Sequence, residues 1–233
     1  MNILFVVNHV RDWPTPIPGV EIVTARNYLT DAAYCEREDT KVFNLCKPYR
    51  YQRRGYYVSL LAEARGHLPL PDVKAIEDIQ SDHVVQLLAE SVDELMQSSF
   101  ADIRQVTVDM RIYFGRDAER RYRQLGEQLF NLLHMPLLHV RFEKTHGKWM
   151  LRSVRALTAA DVPPQDISAM MHAAADCVQG HMRRAREPAA QKPTVAILHS
   201  ADDADASGPV APSNPVALRK FQEAAEVLGR SEE

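Results

Sequence analysis

The 233-residue sequence predicts an α+β (mixed α/β) protein in which helices cover a mixed sheet. Short apolar runs typical of strands alternate along the chain with segments whose apolar residues recur at helical spacing. Near residue 146, two strand patterns flank a glycine-containing loop, as in a β-hairpin. Because helical crossovers join parallel strands and hairpins join antiparallel ones, we expect both orientations in the sheet.

The first half of the chain alternates between strand patterns and segments typical of helices or turns. Residues 3–7 form a continuous apolar run, which indicates a strand buried on both faces. A proline-rich loop follows, and Ser81 or Asp82 is a good N-cap for a later helix. The predicted strands are residues 3–7, 20–24 and 41–45, and the predicted helices are residues 55–65 and 82–97, with a short helix or turn at residues 28–37.

The second half continues the alternation and includes the hairpin. Apolar and polar residues alternate over residues 103–114, which indicates a long strand with one buried face. A long helix begins at Asp161 or Pro163 and ends in cations, which suit the negative end of the helix dipole. The other predicted elements are a helix at residues 117–133 and hairpin strands at residues 137–143 and 149–154.

A change of pattern near residue 187 predicts a domain boundary. Residues 187–193 are rich in proline and alanine and read as a linker, so residues 1–186 form the predicted first domain. Residues 194–233 contain a strand pattern and one helix, which is half of a βαβ unit. Either that strand adds to the first domain's sheet, or the chain is a piece of a longer protein. We favour the second interpretation.

Composition excludes several classes of protein. The net charge is −3, so no global field favours nucleic acid, and no apolar run is long enough to span a membrane. Three widely spaced cysteines and no CxxC pair argue against a disulfide framework and a cysteine-rich zinc site. The histidines lack the spacing of a metal motif. We expect a cytoplasmic protein without a membrane partner.

A basic turn, residues 47–54, carries the clearest functional pattern. It holds four cations ahead of a predicted helix, and no acidic residue occurs from residue 44 to residue 62. Because a helix N-terminus favours anions, the turn predicts a phosphate or carboxylate site. The alternative is a solvated turn whose cations pair with distant acids. The candidate binding residues are Lys47, Arg50, Tyr51, Arg53, Arg54, Tyr56 and Glu63.

Two other functions use the same residues. Glu63 could serve as a general base, which would make the chain a stand-alone enzyme. Tyrosines among cations also suit RNA, whose unpaired bases stack on aromatic rings. We do not expect nucleic acid as a partner, because the rest of the surface is not basic.

Three segments resemble the RimK-like ATP-grasp N-terminal domain family. They are ARNYLTD at residues 25–31, VFNLC at residues 42–46 and YRYQRRGYYVSLLAEARGHLPLP at residues 49–71. The resemblance extends over roughly residues 1–185. The tail, from residue 194 on, is similar to the first strand and helix of the pre-ATP-grasp region that follows this domain.

The resemblance implies an accessory or recognition domain of a ligase that joins a carboxylate to an amine in peptide modification or biosynthesis. The implied partners are an ATP-grasp domain, in the same chain or another, and an acidic peptide or carboxylate substrate. ATP and magnesium would serve that ATP-grasp core, which this chain lacks, so no cofactor is expected here. No catalytic residue of the family has a matching position in this sequence.

Overall fold

In a computed structural model, which describes residues 1–46, 48–119 and 121–186, the strands divide between two four-stranded sheets. The first sheet is parallel and contains β1 (Asn2–Val7), β2 (Val20–Thr24), β3 (Thr40–Asn44) and β4 (Leu68–Leu70), in the order β2-β1-β3-β4. The second is antiparallel and contains β5 (Thr107–Tyr113), β6 (Arg116–Asp117), β7 (Leu137–Thr145) and β8 (Lys148–Ala156), in the order β6-β5-β7-β8.

Helices connect and cover both sheets. None of the helices in the described residues combines the length and apolar character needed to cross a membrane. The helices are α1 (Ala25–Thr30), α2 (Arg54–Ala64), α3 (Val73–Asp78), α4 (Asp82–Ser91), α5 (Asp93–Ser99), α6 (Arg123–Leu133) and α7 (Ile167–Arg186).

These elements confirm the α+β class and correct one detail of it. Parallel and antiparallel pairings occupy separate sheets, where the sequence predicted one mixed sheet. The reason is connectivity: α1 and α2 carry the chain between parallel strands, whereas tight turns join β5 to β6 and β7 to β8. Helix α6 returns the chain between β6 and β7, so that β7 pairs antiparallel with β5. The predicted linker and the strand and helix of residues 194–233 lie outside the described residues.

Some boundaries differ from the prediction. The helix expected at residues 82–97 is two helices, because the backbone leaves helical geometry at Val92. The helix expected from Asp117 begins later, since the Asp117 carboxylate accepts N–H groups of the preceding turn, including that of Arg121 at 2.8 Å. The strand β4 and the helix α3 were not predicted.

The parallel sheet is buried on both faces. Ile3, Phe5 and Val7 of β1 point into one core, and Leu4 and Val6 point into another, so a continuous apolar run is required. The first core is closed by α7, and the second by α1 and α2. A third core lies between one face of the antiparallel sheet and the helices α3 to α6.

Candidate functional site

The carboxyl edge of the parallel sheet has a crevice between its two central strands. The chain passes from β1 to β2 on one side and from β3 to β4 on the other, so the strand order reverses between β1 and β3. Open parallel sheets bind ligands at such reversal points, because the loops leaving the two strands separate there. The loops after β1 and β3 border a cleft of about 640 Å³, lined by Asn8, His9, Arg11, Asp12, Pro48, Gln52, Arg53, Arg54 and Ala160.

Helix α2 points its N-terminus at this cleft. Its N-cap, Arg53, has extended backbone geometry and no side-chain cap, and the first turn holds no acid. Gly55 lies against the preceding turn, where an added Cβ would be 2.8 Å from the carbonyl oxygen of Pro48. Glycine is therefore required for this close approach, which presses the basic turn against the start of the helix.

A buried asparagine fixes the helix to the sheet. The Asn44 carboxamide donates to Gly55 O at 2.7 Å and to Ser59 Oγ at 2.9 Å, and its oxygen accepts the Cys46 N–H at 3.2 Å. The hydroxyl of Tyr49 donates to Asn44 O at 2.6 Å, and burial raises the pKa of Tyr49, which therefore stays protonated. The end of β3, the basic turn and α2 thus form one bonded unit.

The cleft has an excess of positive charge. Arg11, Arg53 and Arg54 are exposed and line it from two loops. The carboxylate of Asp12 lies in the same cleft and accepts the His9 N–H at 3.0 Å. Within the described part of the chain, none of the three arginines forms an ion pair with an acid. Three guanidinium groups beside a helix N-terminus can bind a carboxylate or phosphate through charge-assisted hydrogen bonds.

The structure brings together only part of the predicted set. Arg53 and Arg54 line the cleft, whereas Arg50 and Tyr51 are exposed on the same turn outside its lining. Lys47 lies outside the described residues. The ring of Tyr51 meets that of Tyr56 edge-on, with centroids 5.3 Å apart.

Tyr56 and Glu63 have other contacts. Tyr56 is 7% exposed, and its hydroxyl donates to Glu77 at 3.3 Å. Glu63 lies near the opposite end of α2, where its carboxylate accepts the N–H of Val73 at 2.7 Å and so supports the first turn of α3. Neither side chain lines the cleft. Glu63 lies nine positions after Arg54, and the helical rise places it about 13 Å further along α2.

The loop after β1 was not among the predicted site residues. Asn8, His9 and Arg11 lie opposite the basic turn only because β1 and β3 are neighbours in the sheet. The available signal was their position, since polar residues directly after a buried strand often line a ligand site. Cys46 is buried, its thiol donates to Val6 O at 3.2 Å, and burial raises the thiol pKa far above its ordinary value. It is therefore not a nucleophile of this site.

Comparisons with known proteins give one family. A family model described as the RimK-like ATPgrasp N-terminal domain matches residues 25–173, which is more than half of the chain. The comparison with curated proteins finds no match.

Among solved structures, the macrocyclase MdnB from Microcystis aeruginosa MRC is similar in part. The alignment covers 75% of this chain and 98% of the macrocyclase chain, with 10% sequence identity and a TM-score of 0.41.

Proposed function

Since this chain belongs to the RimK-like ATP-grasp N-terminal domain family, we propose that it is the accessory domain that recognises an anionic substrate for an ATP-grasp carboxylate–amine ligase. The single observation that carries the proposal is the cleft between β1 and β3, with Arg11, Arg53 and Arg54 around the N-terminus of α2. The ligand we propose is a carboxylate of an acidic peptide, and the setting we propose is the cytoplasm.

The chemistry of the cleft supports a carboxylate. A guanidinium group presents paired N–H donors that match the two oxygens of a carboxylate. Each hydrogen bond to a charged group contributes about 1.5–3 kcal/mol, and the helix dipole adds about 0.3–1 kcal/mol. Since Arg11 comes from the loop after β1 and Arg53 from the turn after β3, an anion would be held from two sides.

We assign ATP and magnesium to the ATP-grasp domain that this chain would serve, in the same polypeptide or another. Mg²⁺ prefers oxygen ligands and usually takes carboxylates. The cleft offers three guanidinium groups, and its one carboxylate already accepts the His9 N–H. This donor set does not fit a magnesium site. Among the described residues, no cluster of histidines, cysteines and acids could hold a metal ion.

Recognition is better supported than a stand-alone enzyme. The general base proposed for that enzyme, Glu63, accepts the N–H of Val73 and lies far from Arg53 and Arg54. An RNA module is also less well supported, because Tyr56 is buried and only Tyr51 of the two site tyrosines is free to stack on a base.

The test is calorimetry with triglutamate. Replacing Arg53 and Arg54 together with alanine should weaken binding at least tenfold, because two charge-assisted contacts worth about 1.5–3 kcal/mol each are lost. Arg50→Ala is the matched control: it removes one charge from the same turn but outside the cleft, and it should bind nearly as the wild type does. Equal losses in both variants would contradict a site in the cleft.

The partner can be tested independently. We expect an ATP-grasp core encoded in frame beyond codon 233 or by a neighbouring gene. Genomic sequence on both sides that contains no such core would oppose the ligase role and leave the anion site standing on its own measurement.

A further inference from the structure

The longest edge of the antiparallel sheet is incompletely covered. β8 is an end strand of nine residues that pairs with β7 on one side. On its other side no strand pairs with it in the described part of the chain. An edge of this kind presents backbone N–H and C=O groups that can pair with another strand.

The start of this edge is closed by a side chain. Gln97 accepts the N–H of Trp149 at 3.1 Å and donates to its carbonyl oxygen at 2.8 Å. One carboxamide therefore occupies both outward groups of Trp149, as a neighbouring strand would. The N–H and C=O of Trp149 therefore point outward, away from β7.

The end of the edge is open. Leu157 donates its N–H to Leu137 of the β7 strand at 2.8 Å, so Leu157 faces inward. Since successive residues of a strand turn their backbone groups to opposite sides, Ala156 and Val154 face outward. No hydrogen bond to the outward groups of these two residues is present within the described ranges.

The side chains beside the open end give it chemical character. Arg155 contacts the ring of His139 at 3.3 Å and, among the described residues, forms no ion pair with an acid. The two acids on the same sheet face have partners: Asp109 binds Arg141 at 2.9 Å and His139 at 3.1 Å, and Glu143 binds Arg152 at 2.8 Å. Asp166, from the turn before α7, binds Arg111 at 2.5 Å. The outer face of the edge therefore carries an uncompensated positive charge.

The inner face of the same edge is apolar. Leu151, Val154 and Ala156 are only half-buried at the margin of the core between the sheet and helices α3 to α6. A cavity of about 380 Å³ beside the start of β8 has a lining of both polar and apolar residues: Gln86, Ala89, Glu90, Asp93, Met96, Lys148, Trp149, Met150 and Leu151. A strand added here would find a charged face and an apolar face on alternate side chains.

We infer that the open edge of β8 takes a strand from an extended acidic peptide whose acidic and apolar residues alternate. Its apolar residues would pair with Val154 and Ala156 through the backbone, and an acidic residue would lie across from Arg155. The inference does not depend on the arginine cleft. A second copy of this chain fits the edge poorly, because pairing Val154 of one copy with Ala156 of the other would place the two Arg155 side chains opposite each other.

The probe is a capped seven-residue peptide that alternates glutamate and valine, with a lysine and valine peptide as its control. Capping removes both terminal charges. Because outward residues of an antiparallel pair exchange hydrogen bonds with the residue directly opposite, the valine amides of the probe should bond Val154 and Ala156. N-methylation of those valines should weaken binding at least about tenfold, whereas N-methylation of the glutamates should change it little.

Two variants of the full chain test the edge itself. Val154→Pro removes an outward N–H and should weaken binding, and proline is tolerated on edge strands. Arg155→Glu should reverse the preference from the glutamate peptide to the lysine peptide. Both are read by calorimetry, with hydrogen exchange at residues 154 and 156 slowed by the glutamate peptide. In the double variant of Arg53 and Arg54, the glutamate peptide should still slow hydrogen exchange at residues 154 and 156, which separates binding at this edge from binding in the cleft.

Either of two results would contradict peptide binding at the β8 edge. One is equal binding of the two N-methylated peptides, and another is an unchanged preference in Arg155→Glu. These two measurements decide the matter even where Val154→Pro fails to fold. Sedimentation that shows a dimer of the full chain, dissociated by Arg155→Glu without any peptide binding, would assign the edge to a second copy and reject the peptide.

Discussion

The carboxamide of Asn44 donates a hydrogen bond to the carbonyl oxygen of Gly55 at 2.7 Å, and so joins the end of β3 to the first turn of α2. Both residues are buried, and the basic turn lies between them in sequence. The positions of Arg53 and Arg54 at the sheet edge therefore depend on a contact that neither arginine makes.

Asn44→Ala should destabilise the protein and weaken the anion site. The change leaves Gly55 O and Ser59 Oγ without the donor they share, and each buried unsatisfied group costs about 1–3 kcal/mol. We expect a loss of about 2–3 kcal/mol in the free energy of unfolding, measured by urea titration. Asn131→Ala, at an exposed position, is the control and should remain within about 0.5 kcal/mol. A stability equal to that of the control would show that Asn44 does not hold the helix.

Gly55→Ala and Gly180→Ala should have opposite effects. Alanine favours a helix over glycine by about 1 kcal/mol, and at Gly180 no atom lies within 4 Å of the added Cβ, so that variant should be neutral or more stable. At Gly55 the Cβ would lie 2.8 Å from Pro48 O and 3.0 Å from Cys46 O, so overpacking should cost about 1–3 kcal/mol. Thermal unfolding of the two variants measures the difference. Equal gains in both would mean that the turn gives way without cost.

His67 should make stability depend on pH. It is buried, and its Nε2 donates to Arg37 O at 2.9 Å. In the neutral ring, Nδ1 therefore accepts the Tyr28 hydroxyl at 2.8 Å. Burial lowers the pKa of His67 below its ordinary value of 6.5, so the unfolded chain binds the proton more strongly. The neutral form of His67 therefore contributes its full share to the free energy of unfolding above pH 6.5. That contribution is lost as the pH falls below 6.5 toward the lowered pKa of the folded state.

Urea titrations at pH 7.5 and pH 5.5 test this expectation. His67→Gln should reduce the difference between the two pH values, and His172→Gln, at an exposed position of α7, should leave it unchanged. Part of the difference should persist in His67→Gln, because burial also lowers the pKa of His139. An unchanged difference in His67→Gln would contradict the assignment.

The cysteines should differ in reactivity. Cys35 is exposed, whereas Cys46 is buried and has a raised thiol pKa. With a thiol reagent at pH 8, Cys35→Ser should remove the fast phase of labelling, and Cys46→Ser should leave that phase intact, because the thiolate is the reacting form. Rapid labelling of Cys46 in the folded protein would mean that the core around β1 and β3 opens readily.

Local patterns predicted much of the fold. The run at residues 3–7 is a central strand because its alternate side chains face two separate cores, and residues 148–156 form the second strand of the predicted hairpin. The break at Val92 had no glycine or proline to mark it, and β4 has only three residues. The division into two sheets depends on long-range pairing, which no local pattern reports.

The candidate site shows the same division between local and long-range information. The basic turn and the start of α2 were predicted from adjacent residues, and Arg53 and Arg54 do line the cleft. Arg11 belongs to the site only through the order of the strands. Glu63 was included because it is near the turn in sequence. The rise of the helix places it away from the cleft, and its carboxylate accepts the N–H of Val73.

The three arginines of the cleft are exposed, and in the described residues none is paired with an acid. The scaffold beneath them is held by Asn44, Gly55 and the buried strands. Exchanging the arginine side chains should therefore leave the fold intact, so the cleft can be redesigned for a neutral or cationic ligand without repair elsewhere in the chain.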